Sequence, residues 1–99
     1  MMKENYLSIL GVTYTVKFLK DKDFPKAGYD GLCNSVSKTI LIRLKKDKTL
    51  QNEVLRHEII HAFFHESGLT NYENDEVLVE WVAMQFLKIK EVIDKSEVL

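Results

Sequence analysis

The sequence predicts an α+β fold, in which a small twisted antiparallel or mixed sheet from the N-terminal half packs on two long C-terminal helices. Two observations support this prediction. β-Branched and aromatic residues recur in short runs over the first half of the chain. The second half instead carries two long stretches with apolar residues at helical spacing. Segregated strands and helices of this kind are typical of α+β domains.

Length and composition narrow the class of protein. A chain of 99 residues is enough for one domain, covering residues 1–99, and too short for two. The formal net charge of −1 gives no basic footprint for nucleic acid or for an anionic membrane. The single cysteine, Cys33, cannot form an internal disulfide. No signal-peptide pattern and no apolar run of about 20 residues is present, so a cytoplasmic location is expected.

Extended segments account for the predicted sheet. Residues 5–19 form two strands separated by a turn or bulge at Gly11. Residues 21–30 form a connecting loop. A second pair of strands is expected at 31–36 and 39–44, with the turn near Ser37 and Lys38.

Two helices are predicted after the polar run 45–49. The first spans residues 50–67, with Asp47 or Thr49 as its N-cap and Gly68 as its C-terminal stop. The second starts near Asp75, whose carboxylate favours the positive end of the helix dipole, and continues to about residue 93. The tail after that point is expected to fray. Large aromatic residues at helical spacing, Trp81, Phe63 and Phe64, are expected in the core.

The most informative motif lies in the middle of the first predicted helix, where His57 and His61 stand four residues apart. Four residues correspond to about 400° of rotation and about 6 Å of rise, so both imidazoles project from one helix face. Two imidazoles at this spacing can bind one zinc ion. Glu58 is turned by roughly 100° from His57 and reaches the open side of such an ion as a general base. The motif therefore predicts a Zn²⁺ site with Glu58 as its catalytic residue.

A catalytic zinc site needs at least one further protein ligand. The second helix offers Glu73, Glu76 and Glu80, with Asp75 close by. Glu76 and Glu80 share one face of this helix, which continues through Ala83 and should point towards the first helix. Glu80 is flanked by apolar residues, and a buried carboxylate is costly unless it is paired or binds a metal ion. Glu80 is therefore the preferred third ligand and Glu76 the alternative.

A third histidine, His65, follows on the same helix but has rotated by about 80° from His57, too far for good tetrahedral geometry. Phe64 stands where metzincins have a glycine that turns the chain before a third ligand, which excludes that class. His65 is expected to support a ligand histidine, to face substrate or simply to be exposed to solvent. Together with Tyr72 and Tyr29, it is also a candidate for the hydrogen-bond donor to the oxyanion.

The segment His57-Glu58-Ile59-Ile60-His61-Ala62-Phe63-Phe64-His65, followed by Glu80-Trp81-Val82-Ala83-Met84-Gln85-Phe86-Leu87, resembles gluzincin-type zinc metallopeptidases. It is most similar to the small ImmA/IrrE-like and minigluzincin proteins, many of them carried by phages and mobile elements. The resemblance implies zinc on His57, His61 and Glu80, with Glu58 as general base. It also implies that the sheet edge aligns a peptide substrate. Met84 departs from the family pattern, because larger relatives have Asp or Asn four positions after the ligand. Counted from Glu76, that position is Glu80.

The expected function is hydrolysis of a peptide bond in a peptide or protein substrate by metal-activated water. The alternative is a non-catalytic module that zinc stabilises and that binds a protein partner. Glu58 discriminates between the two, because a peptidase requires the carboxylate whereas a structural zinc site tolerates its amide. The oligomeric state is not predicted.

Overall fold

A computed structural model describes residues 4–97 of the chain. Four strands precede two long helices, and a short 3₁₀ helix, Asp21–Asp23, lies between the second and third strands. The elements are β1 (Glu4–Ile9), β2 (Val12–Leu19), β3 (Gly31–Asn34), β4 (Thr39–Arg43), α1 (Lys48–Glu66) and α2 (Glu76–Lys95).

The four strands form one mixed sheet in the order β1-β2-β4-β3. β1 pairs with β2, and β3 with β4, as antiparallel hairpins, whereas β2 and β4 run parallel. Leu10 and Gly11, both with positive φ, form the first turn, and the Asn34 side chain accepts hydrogen bonds from two backbone N–H groups in the second. Because β3 is the last strand in this order, it is an edge strand of the sheet.

The core lies between one face of the sheet and α1. Tyr14 and Val16 alternate along β2, and Ile40 and Ile42 along β4, so that all four side chains point to the same buried face. Ala62 of α1 completes this cluster. Full burial of such apolar side chains contributes about 1.5–3 kcal/mol each. This packing holds α1 on the sheet and thereby sets the direction in which the helix face with His57 and His61 points.

Both helices begin at an aspartate. The Asp47 carboxylate accepts hydrogen bonds from the N–H groups of Thr49 and Leu50 at 2.9 and 3.3 Å, and Asp75 accepts one from Leu78 at 3.0 Å. α1 ends at Glu66, and Gly68, just after the C-cap residue Ser67, has a φ of 89°, the left-handed conformation that commonly follows a helix C-terminus.

The predicted fold class is confirmed, with small differences in the bounds of the elements. α1 begins two residues earlier than predicted, because Asp47 rather than Thr49 is its N-cap. α2 continues to Lys95, beyond the predicted end near residue 93, and residues 98–99 of the predicted frayed tail lie outside the described residues. β3 ends at Asn34 instead of residue 36, because the Asn34 side chain begins the turn.

The predicted core is correct for Phe64 but wrong for two other aromatic residues. Phe64 is buried between the helices, whereas Phe63 is 43% exposed and Trp81 is 57% exposed. α2 packs on α1 with Val79 and Ala83, and Trp81 is rotated about 160° from Ala83 about the helix axis. Across residues 4–97, neither helix combines the length and the apolar character that crossing a membrane requires.

Candidate metal centre

α1 brings the two motif histidines together on the face that meets α2. The Nε2 atoms of His57 and His61 are 3.2 Å apart, and the ring centroids are separated by 4.9 Å. Two nitrogens bound tetrahedrally to one zinc ion, each at about 2.0–2.1 Å, would lie about 3.3–3.4 Å apart. The spacing predicted from the sequence is therefore present, and it suits a single ion.

Glu76, at the first position of α2, faces both nitrogens. One of its carboxylate oxygens lies 2.8 Å from Nε2 of His57 and the other lies 3.0 Å from Nε2 of His61. Ligand atoms of these three side chains lie within 4.8 Å of one another. Two imidazoles and one carboxylate are the protein ligands of many catalytic zinc sites.

The other ring nitrogens of the two histidines face hydrogen-bond acceptors. Nδ1 of His57 lies 2.6 Å from a carboxylate oxygen of Glu80, and Nδ1 of His61 contacts the backbone carbonyl of Glu73. An acceptor at Nδ1 places the proton of a neutral imidazole on that nitrogen, so that Nε2 carries the lone pair. Metal-bound histidines in proteins are commonly oriented in this way.

Three electron-pair donors therefore converge on one point, and they repel one another unless a cation lies between them. Burial alone would lower the pKa of His57, but the hydrogen bonds that its protonated ring donates to Glu76 and Glu80, together with the charge of Glu58, outweigh burial and raise that pKa. The same surroundings that favour a proton on His57 favour a bound metal cation. The residues present thus fit a zinc ion.

Glu80 was the preferred third ligand in the sequence, with Glu76 as the alternative, but the structure places these two carboxylates the other way round. Glu76 is the carboxylate at the Nε2 atoms, and Glu80 instead holds Nδ1 of His57. Glu80 is flanked by apolar residues in the sequence, but its side chain is 56% exposed, so that burial does not mark it as a ligand. One turn separates the two residues on the same helix face, so that the sequence pattern alone could not rank them.

Glu58 lies against the start of the edge strand β3, and it is only 7% exposed. A Cβ built at Gly31 would lie 2.9 Å from Glu58 Oε2 and 2.8 Å from Cγ1 of Val54, closer than real contacts allow. Glycine at position 31 therefore provides the space for the carboxylate. Burial raises the pKa of Glu58 even though the neighbouring His61 and His57 lower it. A raised pKa suits a general base that works near neutral pH.

An open cleft of about 760 Å³ lies over the histidines. Its walls come from β3, the preceding loop, α1 and the start of α2, and they include Glu58, Glu76 and Glu80. Cys33 of β3 also lines the cleft. Burial and the nearby Glu58 raise the pKa of its thiol to about 12, so that the thiol is protonated at neutral pH in the metal-free protein.

The predicted supporting residues have different locations. Tyr29 lines the cleft, whereas His65 and Tyr72 are not among the described residues that form its walls. His65 Nδ1 lies 2.9 Å from a carboxylate oxygen of Glu73, and Tyr72 is 48% exposed in the loop between the helices. Of the three candidates for the oxyanion donor, only Tyr29 borders the site.

Two contributions to the site were not predicted from the sequence: the space left by Gly31 and the backbone carbonyl of Glu73. Gly31 was assigned only to a strand, although an isolated glycine in a strand can signal a close approach of the backbone. Glu73 contacts His61 through its backbone carbonyl, an atom that every residue carries and that no sequence motif could reveal.

Comparisons of this chain with protein-family models, with curated proteins and with solved structures find no significant match.

Proposed function

We propose that this chain binds one zinc ion through His57, His61 and Glu76 and hydrolyses peptide bonds, with Glu58 as the general base. The convergence of both Nε2 atoms on the Glu76 carboxylate carries the proposal. Its donor atoms match a three-ligand zinc site in type and spacing. Glu80 orients His57 from outside the coordination sphere, which raises the basicity of the ring.

When bound, zinc lowers the pKa of a water molecule towards neutrality and polarises the scissile carbonyl group. Glu58 accepts the proton of the attacking water and transfers it to the nitrogen of the leaving amine. The buried position of Glu58 supports this role, because a raised pKa makes the carboxylate a stronger base. The hydroxyl of Tyr29 is the candidate donor to the oxyanion at the edge of the cleft.

The proposed substrate is an extended segment of a peptide or protein. β3 borders the cleft and is the edge strand of the sheet, so its outer backbone groups can pair with an added strand. The cleft is wide and open rather than a closed pocket, which suits a polymer better than a small molecule. The resemblance to gluzincin-type peptidases supports the same assignment, and a cytoplasmic location is part of the proposal.

A second candidate is the non-catalytic zinc module that binds a protein partner. The observation that favours it is the exposed apolar surface of α2. Its exposed apolar side chains include Val77, Trp81 and Met84 on one side of the helix and Phe86, Ile89 and Ile93 on the other. Exposed apolar patches frequently mark protein interaction sites. Both candidates share the zinc site and differ in whether Glu58 is required.

Metal content tests the shared part of the proposal. Protein dialysed against Zn²⁺ and then against buffer is expected to retain about one zinc ion per chain by elemental analysis, a stoichiometry set by a single three-ligand site. A Glu76→Ala variant should lose this ion. Glu80→Ala should still bind it, with affinity reduced about 10–100-fold, as is typical for loss of an outer partner of a ligand. Loss of zinc in Glu80→Ala and full retention in Glu76→Ala would reverse the assignment of the third ligand.

Activity of Glu58→Gln then separates the two candidates. This variant keeps the shape of the side chain but cannot accept the proton, so that hydrolysis of a quenched-fluorescent peptide library should fall by about 10²–10⁴-fold. Zinc stoichiometry should remain unchanged. Equal cleavage by the wild type and by Glu58→Gln would contradict the peptidase mechanism, and no cleavage by the zinc-loaded wild type would favour the binding module.

A further inference from the structure

The loop between α1 and α2 is attached to the helix at two points by one residue. The backbone carbonyl of Glu73 accepts a hydrogen bond from Nδ1 of His61. Its carboxylate Oε2 lies 2.9 Å from Nδ1 of His65, one turn further along α1. Glu73 therefore contacts two successive histidines of the helix, one with its main chain and one with its side chain.

We propose that His65 and Glu73 act as a positioning pair that holds His61 in the orientation and tautomer needed to bind metal. The proposal rests on the proposed zinc site, and it assigns a role to a histidine that lies outside the cleft. The carbonyl of Glu73 can only accept, so that it keeps the proton of His61 on Nδ1 and leaves the Nε2 lone pair facing His57 and Glu76. His65 in turn fixes the place of that carbonyl.

The carbonyl needs this support because Glu73 belongs to neither helix. The neighbouring hydrogen bonds in the loop are turn contacts, from Tyr72 N–H to the carbonyl of Leu69 and from Asp75 N–H to the carbonyl of Tyr72, both at 3.0 Å. The His65–Glu73 contact ties the loop directly to α1. The side chains are 30% and 20% exposed, so the contact is partly shielded from water.

Placement of His65 also excludes a direct role at the cleft. Its Nδ1 is taken by Glu73, and its position on α1 is one turn beyond His61, on the side of the interhelix loop. A positioning role explains a third histidine in this row that neither meets the metal ligands nor borders the substrate cleft.

The test measures zinc affinity in folded variants by competition with a chromophoric chelator. His65→Ala and Glu73→Ala should each weaken zinc binding about 10–100-fold, as expected for residues that orient a ligand. The zinc affinity of the double variant should equal that of whichever single variant binds zinc less tightly, because both changes break the same contact. Glu73→Gln keeps an oxygen acceptor for His65 and should recover most of the affinity. Lys38→Gln is the matched control, because it breaks an ion pair of similar exposure at the same end of α1, and its affinity should equal that of the wild type.

Nitrogen chemical shifts of His61 provide a second readout, made on the metal-free protein. In the wild type, His61 should be the Nδ1–H tautomer. In His65→Ala and Glu73→Ala, His61 should be a mixture of the two tautomers, whereas Glu73→Gln should keep the Nδ1–H tautomer. Wild-type affinity in both alanine variants, or an unchanged His61 tautomer, would overturn the positioning role. Absence of zinc binding by the wild type would instead contradict the proposed function, and the tautomer measurement would still decide the inference.

Discussion

At the scale of single residues, the position of Glu58 depends on the absence of a side chain at Gly31. Gly31 lies at the start of β3, opposite Ile42 of β4, and has no positive φ. Its backbone conformation is therefore one that alanine also adopts, and only contacts exclude a methyl group there.

Gly31→Ala is predicted to damage both stability and activity. The added Cβ meets Val54 and Glu58 at under 3.0 Å, so that the helix or the carboxylate must move. Overpacking of this kind typically costs about 1–3 kcal/mol in the free energy of unfolding, measurable by urea denaturation. Hydrolytic activity should fall further than zinc affinity, because the displaced group is the proposed base and not a proposed ligand.

A double-mutant cycle supplies the control for this prediction. Val54→Ala removes the side-chain atom closest to the new methyl group. The stability loss of Gly31→Ala should therefore be smaller in the Val54→Ala background than in the wild type. Additive losses would show that the methyl group acts through something other than this contact.

At the scale of secondary-structure elements, the C-terminal end of α1 is tied to the sheet by Glu66. Its carboxylate accepts hydrogen bonds from the Tyr14 hydroxyl of β2 at 2.6 Å and from Lys38, in the turn between β3 and β4, at 2.7 Å. These hydrogen bonds, that from Lys38 first and that from Tyr14 second, lower the pKa of Glu66. One carboxylate thus links three elements.

Glu66→Gln should reduce stability at neutral pH and have little effect in acid. Because the pKa of Glu66 is lowered by folding, the ionised group stabilises the protein above the ordinary pKa of a glutamate, about 4.3, and this contribution is lost as the pH falls through the folded-state value. Melting temperatures of the metal-free wild type and variant from pH 7 to pH 3 should therefore converge. A constant difference across this range would contradict an electrostatic role.

The elements themselves were largely predictable, because local signals defined them. Runs of β-branched and aromatic residues identified the strands, and Asp47, Asp75 and Gly68 marked helix ends through caps that act within a few residues. The mixed strand order was less accessible, because insertion of β4 between β2 and β3 depends on pairing between residues far apart in sequence.

The site, like the fold, was predictable where it depends on residues close together in the sequence. His57 and His61 were correctly placed on one helix face because their spacing is local to α1. The choice between Glu76 and Glu80 depended on how α2 is rotated and shifted against α1, which follows from packing at Val79 and Ala83. Such interhelix geometry leaves no short-range signal in a sequence.

At the scale of the whole molecule, the two helices are held very differently. α1 packs on the sheet and contributes to the main core, whereas α2 rests on α1. Among the described residues of α2, only Val79 and Ala83 are buried, and the apolar side chains of its C-terminal half remain exposed. The burial of apolar side chains that attaches α2 is therefore small compared with that which attaches α1.

Zinc should therefore stabilise α2 more than it stabilises the sheet. The proposed ligands come from both helices, so a bound ion joins them directly. At a free zinc concentration of 100 times the dissociation constant, binding adds about 2.7 kcal/mol to the free energy of unfolding. For a domain of this size, that corresponds to a rise in melting temperature of roughly 10–20 °C, reversed by a chelator.

Amide hydrogen exchange would locate this effect along the chain. In the metal-free protein, α2 should exchange through local opening at a lower free energy than the amides of β2 and β4, because so little apolar surface holds it in place. Zinc should increase protection in α2, so that the difference in opening free energy between α2 and the sheet becomes much smaller. Glu76→Ala retains the sheet and α1 but lacks the proposed ligand from α2. In this variant, added zinc should not change the difference in opening free energy between α2 and the sheet. Equal protection of α2 and the sheet without metal would show that the few buried contacts at Val79 and Ala83 are sufficient to hold the helix.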